Sequence, residues 1–243
     1  MNIIIDQGNT ATKVALFEDG VQKLRLKYAD FTAEDFLKLK ENHTFKGGIF
    51  SSVKKHIDTH LITCLRETIP SFLIFDHTLK LPIDIAYKTP NTLGKDRLAA
   101  VVGATHKCPD KNILIIDAGT AITYELVEAS GLYVGGNISP GMNTRFKALH
   151  DYTDMLPLLK EENNVPLIGT STDSAIQAGV VNGIIYEMDG YIDALRNEYP
   201  DLLVFLTGGH SIYFETKLKN SIFADTNLVM MGLNRLIDYN AKI

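Results

Sequence analysis

Apolar residues run unbroken from Ile3 to Ile5, give way to polar and small residues from Asp6 to Lys13, and return at Val14–Phe17. Beyond Val21 the chain alternates, with Leu24, Leu26 and Tyr28 separated by single charged residues, the period of a half-buried strand. The pattern predicts strands at Asn2–Ile5, Thr12–Phe17 and Val21–Tyr28, a three-strand meander with Asp19-Gly20 as a turn. A helix is expected at Ala33–Glu41, a strand at Gly48–Ser52, a helix at Ile57–Thr68 and a strand at Phe72–Phe75. The Pro-containing stretch Lys88-Thr89-Pro90-Asn91 leads into a helix over Thr92–His106, whose apolar set is Leu93, Leu98, Ala99, Val101 and Val102.

At Asn112 the pattern restarts. Strands are predicted at Ile113–Ile116, Thr120–Val127 and Leu132–Gly135, then a helix at Asn143–Leu149, a loop rich in Pro and Gly, and a long helix over Thr172–Glu198. A strand at Leu202–Leu206, a helix after Gly209, a strand near Ser221–Ala224 and a helix over Asn227–Tyr239 complete the chain. Asp6-Gln7-Gly8-Asn9-Thr10 is echoed by Asp117-Ala118-Gly119-Thr120-Ala121, each between two apolar strands. The restart implies a duplicated α/β domain, with halves at residues 1–111 and 112–243.

The two turns carry more polar chemistry than a reversal of direction needs. Gly8 lets backbone approach a ligand without a clash at Cβ, and the N–H groups around it form a nest suited to phosphate oxygens. Asp6 beside that nest suits a hydrated divalent ion, and Lys13 adds a mobile positive charge. Gly119 to Thr123 offers a second nest, so that two phosphate loops would clamp a nucleoside triphosphate in a cleft between the halves. The alternative is a pair of tight turns with polar caps. Gly208-Gly209-His210, at a strand-to-helix junction, and Gly135–Gly141 are further close-approach loops, although such junctions also use glycine simply to turn. In Gly94-Lys95-Asp96-Arg97, Asp96 reads either as a first-turn acid favoured by the helix dipole or as the carboxylate that phosphoryl transfer to an alcohol requires.

Composition narrows the classes. The chain has 243 residues, 45% apolar and 22% charged, with a net charge of −5, values of a soluble globular protein. That charge and a pI near 5.8 argue against nucleic-acid binding by a broad basic surface. No apolar run is long enough to span a membrane, and the chain enters a strand at once without a signal-peptide pattern, which gives an expectation of no membrane partner and a cytoplasmic location. Cys64 and Cys108 have no metal or redox spacing and read as ordinary thiols, and His56 and His60 as a solvated helix face.

The stretches DQGNTATK (6–13), YKTPNTLGKDR (87–97), DAGTAITYELV (117–127), GGNISPGM (135–142), STDSAIQAG (171–179) and LTGG (206–209) together resemble the type III pantothenate kinases of the actin–sugar kinase–Hsp70 superfamily. The resemblance implies duplicated ribonuclease-H-like domains and transfer of the γ-phosphoryl of ATP to pantothenate. By position it implies that Asp6, Gln7, Gly8, Asn9, Thr10, Ala11, Thr12 and Lys13 hold the ATP phosphates, with Asp6 near Mg2+ and Thr120 also touching ATP. Asp96 would be the general base, Asp117 would bind K+ or NH4+, and Tyr87, Gly94, Lys95, Asp96, Arg97 and Thr172 would line the pantothenate site.

The resemblance further implies a homodimer that shares the pantothenate site across its interface. Thr172 opens a helix whose Ile176, Val180, Val181 and Ile184 form an apolar stripe, which reads equally as interface or as core. Gln7 departs from the family's usual aliphatic residue, and Ala175 and Ala178 stand where serine is common. Rival readings are another enzyme on the same fold, such as an acetate- or sugar-type kinase or a phosphatase acting on phosphoanhydrides, a non-catalytic regulator and an actin-like filament subunit.

Overall fold

In the computed structural model, residues 1–241 are described. The chain divides into two compact units. One comprises Met1–Cys108 together with the stretch from Asn227 onward, and the other Pro109–Thr226. The repeat in the sequence puts the last helix in the second half, whereas the fold groups it with the first.

The first unit contains β1 (Asn2–Gln7), β2 (Thr12–Glu18), β3 (Val21–Tyr28), α1 (Ala33–Asn42), β4 (Gly47–Ser52), α2 (Thr59–Thr68) and β5 (Ser71–Ile74). The two-residue strand β6 (Asp84–Ile85), a single 3-10 turn at Pro90–Thr92 and α3 (Lys95–Lys107) follow. The sheet order is β3-β2-β1-β4-β5, with β1 antiparallel to β2 and parallel to β4. Asp19 and Gly20 both take positive φ, the backbone of a tight hairpin turn. Alternation then sorts the faces. Ile3, Ile5, Val14, Leu16 and Phe50 pack with Phe36 of α1 and with Leu61 and Leu65 of α2. Asp6 and its ladder neighbours Lys13 and Ser51 fall on the opposite face, the one that carries α3.

β1 runs two residues past the predicted Ile5, because Asp6 and Gln7 continue the ladders to Lys13 and Thr12 and to Ser51 and Ser52. Backbone pairing ignores the switch from apolar to polar side chains that ended the expected strand. Likewise α2 starts at Thr59 because the Asp58 side chain accepts from His60 and Leu61 N–H, and α3 starts at Lys95 behind an N-cap at Gly94.

The second unit holds β7 (Ile113–Ala118), β8 (Ala121–Val127), β9 (Leu132–Pro140), α4 (Met142–Asp151), α5 (Thr172–Glu198), β10 (Leu203–Thr207), α6 (Ser211–Glu215) and β11 (Phe223–Ala224). Its strands run β9-β8-β7-β10-β11, the order of the first unit repeated: a meander followed by two parallel strands. The duplication read from the sequence is therefore a repeat of topology. The stripe on α5 is core. Ile176, Val180, Val181 and Ile184 are buried with Leu114, Ile116, Ile122 and Tyr124 of the sheet. Gly135–Pro140, expected as a loop, is the end of β9, paired residue by residue with β8 as far as Ala121.

The last helix, α7 (Leu228–Asn240), packs tightly on α3. A Cβ on Gly232 would lie 1.8 Å from the Ala99 carbonyl oxygen, and one on Gly103 2.1 Å from that of Leu228. Only glycine lets the two backbones approach this closely. On the same unit, buried Asn2 donates from Nδ2 to Asn234 Oδ1 at 3.0 Å.

Candidate active site

The first polar turn leaves the end of β1. Gly8 N–H donates to the Ala11 carbonyl at 3.1 Å, which folds Asn9 and Thr10 outward into solvent. Asp6 lies one turn back and is buried, at 6% exposure. Burial is the main force raising its pKa to about 6; Lys13 opposes the rise and Asp96 adds to it. Asp6 and Asp96 thus feel each other's charge although they stand on different elements. The alternation that aims Asp6 and Lys13 at one face aims Gln7 and Thr12 at the other. There Gln7 Oε1 accepts from Ser52 Oγ at 2.7 Å. Toward a ligand at the turn, Gln7 and Thr12 offer backbone rather than side chain.

Asp96 stands in the first turn of α3, where its Oδ1 accepts from the Arg97 N–H at 2.9 Å. A Cβ at Gly94 would lie 2.7 Å from that same oxygen, so Gly94 makes room for the carboxylate. Lys95 reaches back to β4 and donates from Nζ to the Ser52 carbonyl at 3.1 Å. Arg97 is buried, its guanidinium 5.8 Å from the centre of the Tyr87 ring. The structure therefore brings Asp6, Lys13, Tyr87, Lys95, Asp96 and Arg97 onto one unit, around the end of β1 and the start of α3.

The second turn occupies the same place between β7 and β8 but is one residue shorter. Gly119 N–H donates to the Ala121 carbonyl at 3.0 Å, and Thr120 is exposed. Three neighbours hold it: Gly141 N–H and Thr144 Oγ1 both donate to the Thr120 carbonyl, at 3.0 and 2.7 Å, and His210 N–H donates to the Ala118 carbonyl at 3.0 Å. A Cβ on Gly141 would meet the Gly119 oxygen at 2.2 Å. Gly208 has φ +96°, and a Cβ there would lie 2.4 Å from Asp117 Oδ1. Both glycines are thus required by the turn's own packing, while nothing lies within 4 Å of a Cβ on Gly209. Thr172, exposed at the first position of α5 behind the Ser171–Ser174 capping box, belongs to this second unit.

These groups fit a magnesium nucleotide. Among the described residues no three His, Cys, Asp or Glu side chains are grouped to hold a metal. Magnesium does not need such a cage, since it binds through one or two carboxylates, phosphate oxygens and water. A buried carboxylate beside a turn whose Asn9 and Thr10 stand exposed matches that requirement. Sequence reading missed the support given by Gly141 and Thr144 to the second turn. Periodicity carries no signal for it, because it depends on where the start of α4 lies against that turn.

Known structures define the class. The fold matches a structure described as a Baf family transcriptional activator from Campylobacter jejuni, with TM-score 0.65, 20% identity and coverage of 99% of this chain and all of that one. It also matches a 2-dehydro-3-deoxygalactonokinase protein from Sinorhizobium meliloti, with TM-score 0.64, 11% identity and full coverage of both chains. The architecture these structures share with the chain is that of duplicated ribonuclease-H-like domains.

Sequence comparison then goes further. Residues 2–194 match the family described as Type III pantothenate kinase. The chain is 46% identical to the Phocaeicola vulgatus type III pantothenate kinase over the full length of both. It is 48% identical to that of Bacteroides fragilis over 99% of this chain and 98% of the other. The chain belongs to the type III pantothenate kinase family.

Proposed function

We infer that the chain transfers the γ-phosphoryl group of ATP to the primary hydroxyl of pantothenate, yielding 4′-phosphopantothenate and ADP, the first step of coenzyme A biosynthesis. The observation that carries the chemistry is the placement of Asp96 on the same unit as the Asp6 turn, close enough for the two charges to interact. Asp96 accepts the proton as the hydroxyl oxygen bonds to the γ-phosphorus and the bond to the ADP oxygen breaks. The stretch from Asp6 to Lys13, with the exposed Asn9–Thr10 turn at its centre, holds the phosphates, with Thr120 as a second contact. Tyr87, Gly94, Lys95 and Arg97 line the acceptor site, where Arg97 and Lys95 offset negative charge.

Asp6 is the carboxylate for a divalent ion, which when bound neutralises phosphate charge. Asp117 is the site for K+ or NH4+, where a monovalent ion lowers the repulsion among carboxylates and phosphates without imposing a rigid octahedron. The enzyme works as a cytoplasmic homodimer in which the partner supplies the face carrying Thr172. None of the helices described is long and apolar enough to cross a membrane.

The test is an ADP-release assay with ATP, Mg2+ and pantothenate, in potassium and in sodium, with Asp96→Asn alongside. Expected are pantothenate-dependent turnover, a preference for potassium, and a loss of roughly 10²–10⁴ in kcat for Asp96→Asn with unchanged Tm. Equal rates in the two salts would remove the monovalent site. No turnover from a folded, ATP-binding protein would instead favour a non-catalytic regulator; the Campylobacter jejuni structure is described as a transcriptional activator.

A further inference from the structure

Two serines end β4, and they are treated differently. Ser52 is 4% exposed and fully used: its Oγ donates to Gln7 Oε1 at 2.7 Å and accepts from Lys54 N–H at 3.1 Å. Ser51 is 1% exposed, and its Oγ has no hydrogen-bond partner among the described residues. Strand alternation puts the two on opposite faces. Ser51 lies directly across from Asp6 in the parallel ladder, on the face that also carries Lys13.

A buried hydroxyl with no partner destabilises the fold that contains it, and an alanine at that place would not. The free protein therefore makes no structural use of the Ser51 hydroxyl, while the carboxylate beside it is the one read above as the divalent-ion ligand. A carboxylate that gives one oxygen to an ion leaves the other in need of a donor, and ligating carboxylates are ordinarily held by such a bond. Lys13 is the charged neighbour of Asp6, but its ammonium is also the group suited to phosphate. Ser51 is a neutral donor with no competing use.

We propose that Ser51 is a positioning residue: its hydroxyl donates to the Asp6 carboxylate when that carboxylate holds the divalent ion of the nucleotide complex, fixing which oxygen faces the ion. The proposal rests on the reading of Asp6 given above. It extends that reading to a residue that touches neither ATP nor pantothenate.

The experiment measures Mn2+ binding to the full-length protein in the presence of ADP by electron paramagnetic resonance. Melting temperature and the Mg2+ dependence of kcat are followed in parallel. Variants are Ser51→Ala, Ser51→Thr, Ser52→Ala and Asp6→Asn. Ser51→Ala is expected to melt at or above the parent temperature and to bind the ion roughly 10–100-fold more weakly. Excess Mg2+ should recover most of its kcat, and Ser51→Thr, which keeps the hydroxyl, should recover affinity. Ser52→Ala should lower the melting temperature and leave ion affinity unmoved. Parent-like ion binding by Ser51→Ala, or a fall in its melting temperature, overturns the proposal. Asp6→Asn separates the two levels. If it loses the ion while Ser51→Ala does not, Asp6 stands and Ser51 falls; if it too binds as the parent does, the assignment of Asp6 fails and Ser51 with it.

Discussion

Glu187 on α5 shows what a residue's partners decide. Tyr124 OH donates to its Oε1 at 2.7 Å, and Arg145 Nη2 donates to its Oε2 at 2.5 Å. Burial pushes the carboxyl up, but the hydrogen bonds from Tyr124, Arg145 and Ser139 outweigh it and hold its pKa below the ordinary 4.5. The same partnership raises the Tyr124 phenol, with burial as the larger cause. A carboxyl depressed on folding contributes stability that is present above 4.5 and disappears as pH falls through the folded value. Glu187→Gln is therefore expected to cost about 1.5–3 kcal/mol near neutrality, or roughly 3–12 °C at this size. The gap from the parent should close on acidification below pH 4.5, which melting curves across pH would read. Nothing in the spacing of Tyr124, Arg145 and Glu187 announces their meeting. They stand on β8, α4 and α5, and only the packing of helices on the sheet joins them.

Between elements, the α3–α7 contact governs where the carboxylate proposed as general base sits, since Asp96 rides on the first turn of α3. Gly232→Ala forces a Cβ to within 1.8 Å of backbone that cannot swing aside. Overpacking of this kind costs about 1–3 kcal/mol or more, and kcat should fall with the melting temperature as α3 is displaced. Gly190 on α5 is the contrast: it is exposed, and no atom lies within 4 Å of its Cβ position. Gly190→Ala should raise stability by about 0.4–1 kcal/mol through the unfolded state. Thermal melts of the two variants must move in opposite directions if backbone approach, rather than glycine content, is the controlling quantity. Helix periodicity located both helices from sequence. It gave no sign that they touch, because their contact is made by residues with no side chain.

At the scale of the whole molecule, the segment between α4 and α5 bears on assembly. It exposes Tyr152, Met155, Leu158, Leu167 and Ile168, more large apolar surface than one loop ordinarily leaves in water. Beside it an apolar groove of about 860 Å³ is lined by Leu149, Tyr152, Leu156, Ala175, Ile176 and Gly179, with Thr172 at its edge. This supports the proposed homodimer and places its apolar contact at the groove and loop, where the α5 stripe contributes Ile176 and Val180. Tyr152→Asp is expected to shift sedimentation from dimer to monomer and to raise the KM for pantothenate, because Thr172 would no longer reach a partner's site. A parent that sediments as a monomer at micromolar concentration would end the dimer reading.

The sequence by itself determined the duplication, the meander that opens each unit, the two Asp-x-Gly turns and the membership of Asp96 in a helix start. All of these are written in local period and local turn chemistry, and the order of the motifs was enough to show the family. Three things waited for the tertiary structure. The return of α7 to the first unit depends on a glycine contact between residues more than a hundred positions apart. The extension of β9 through Gly135–Pro140 depends on a neighbouring strand that supplies hydrogen bonds to residues with little strand preference of their own. The difference between Ser51 and Ser52, adjacent and identical in sequence, depends on which face of the sheet each meets. Side-chain type is local information, whereas a partner is supplied by whatever the fold brings across the sheet.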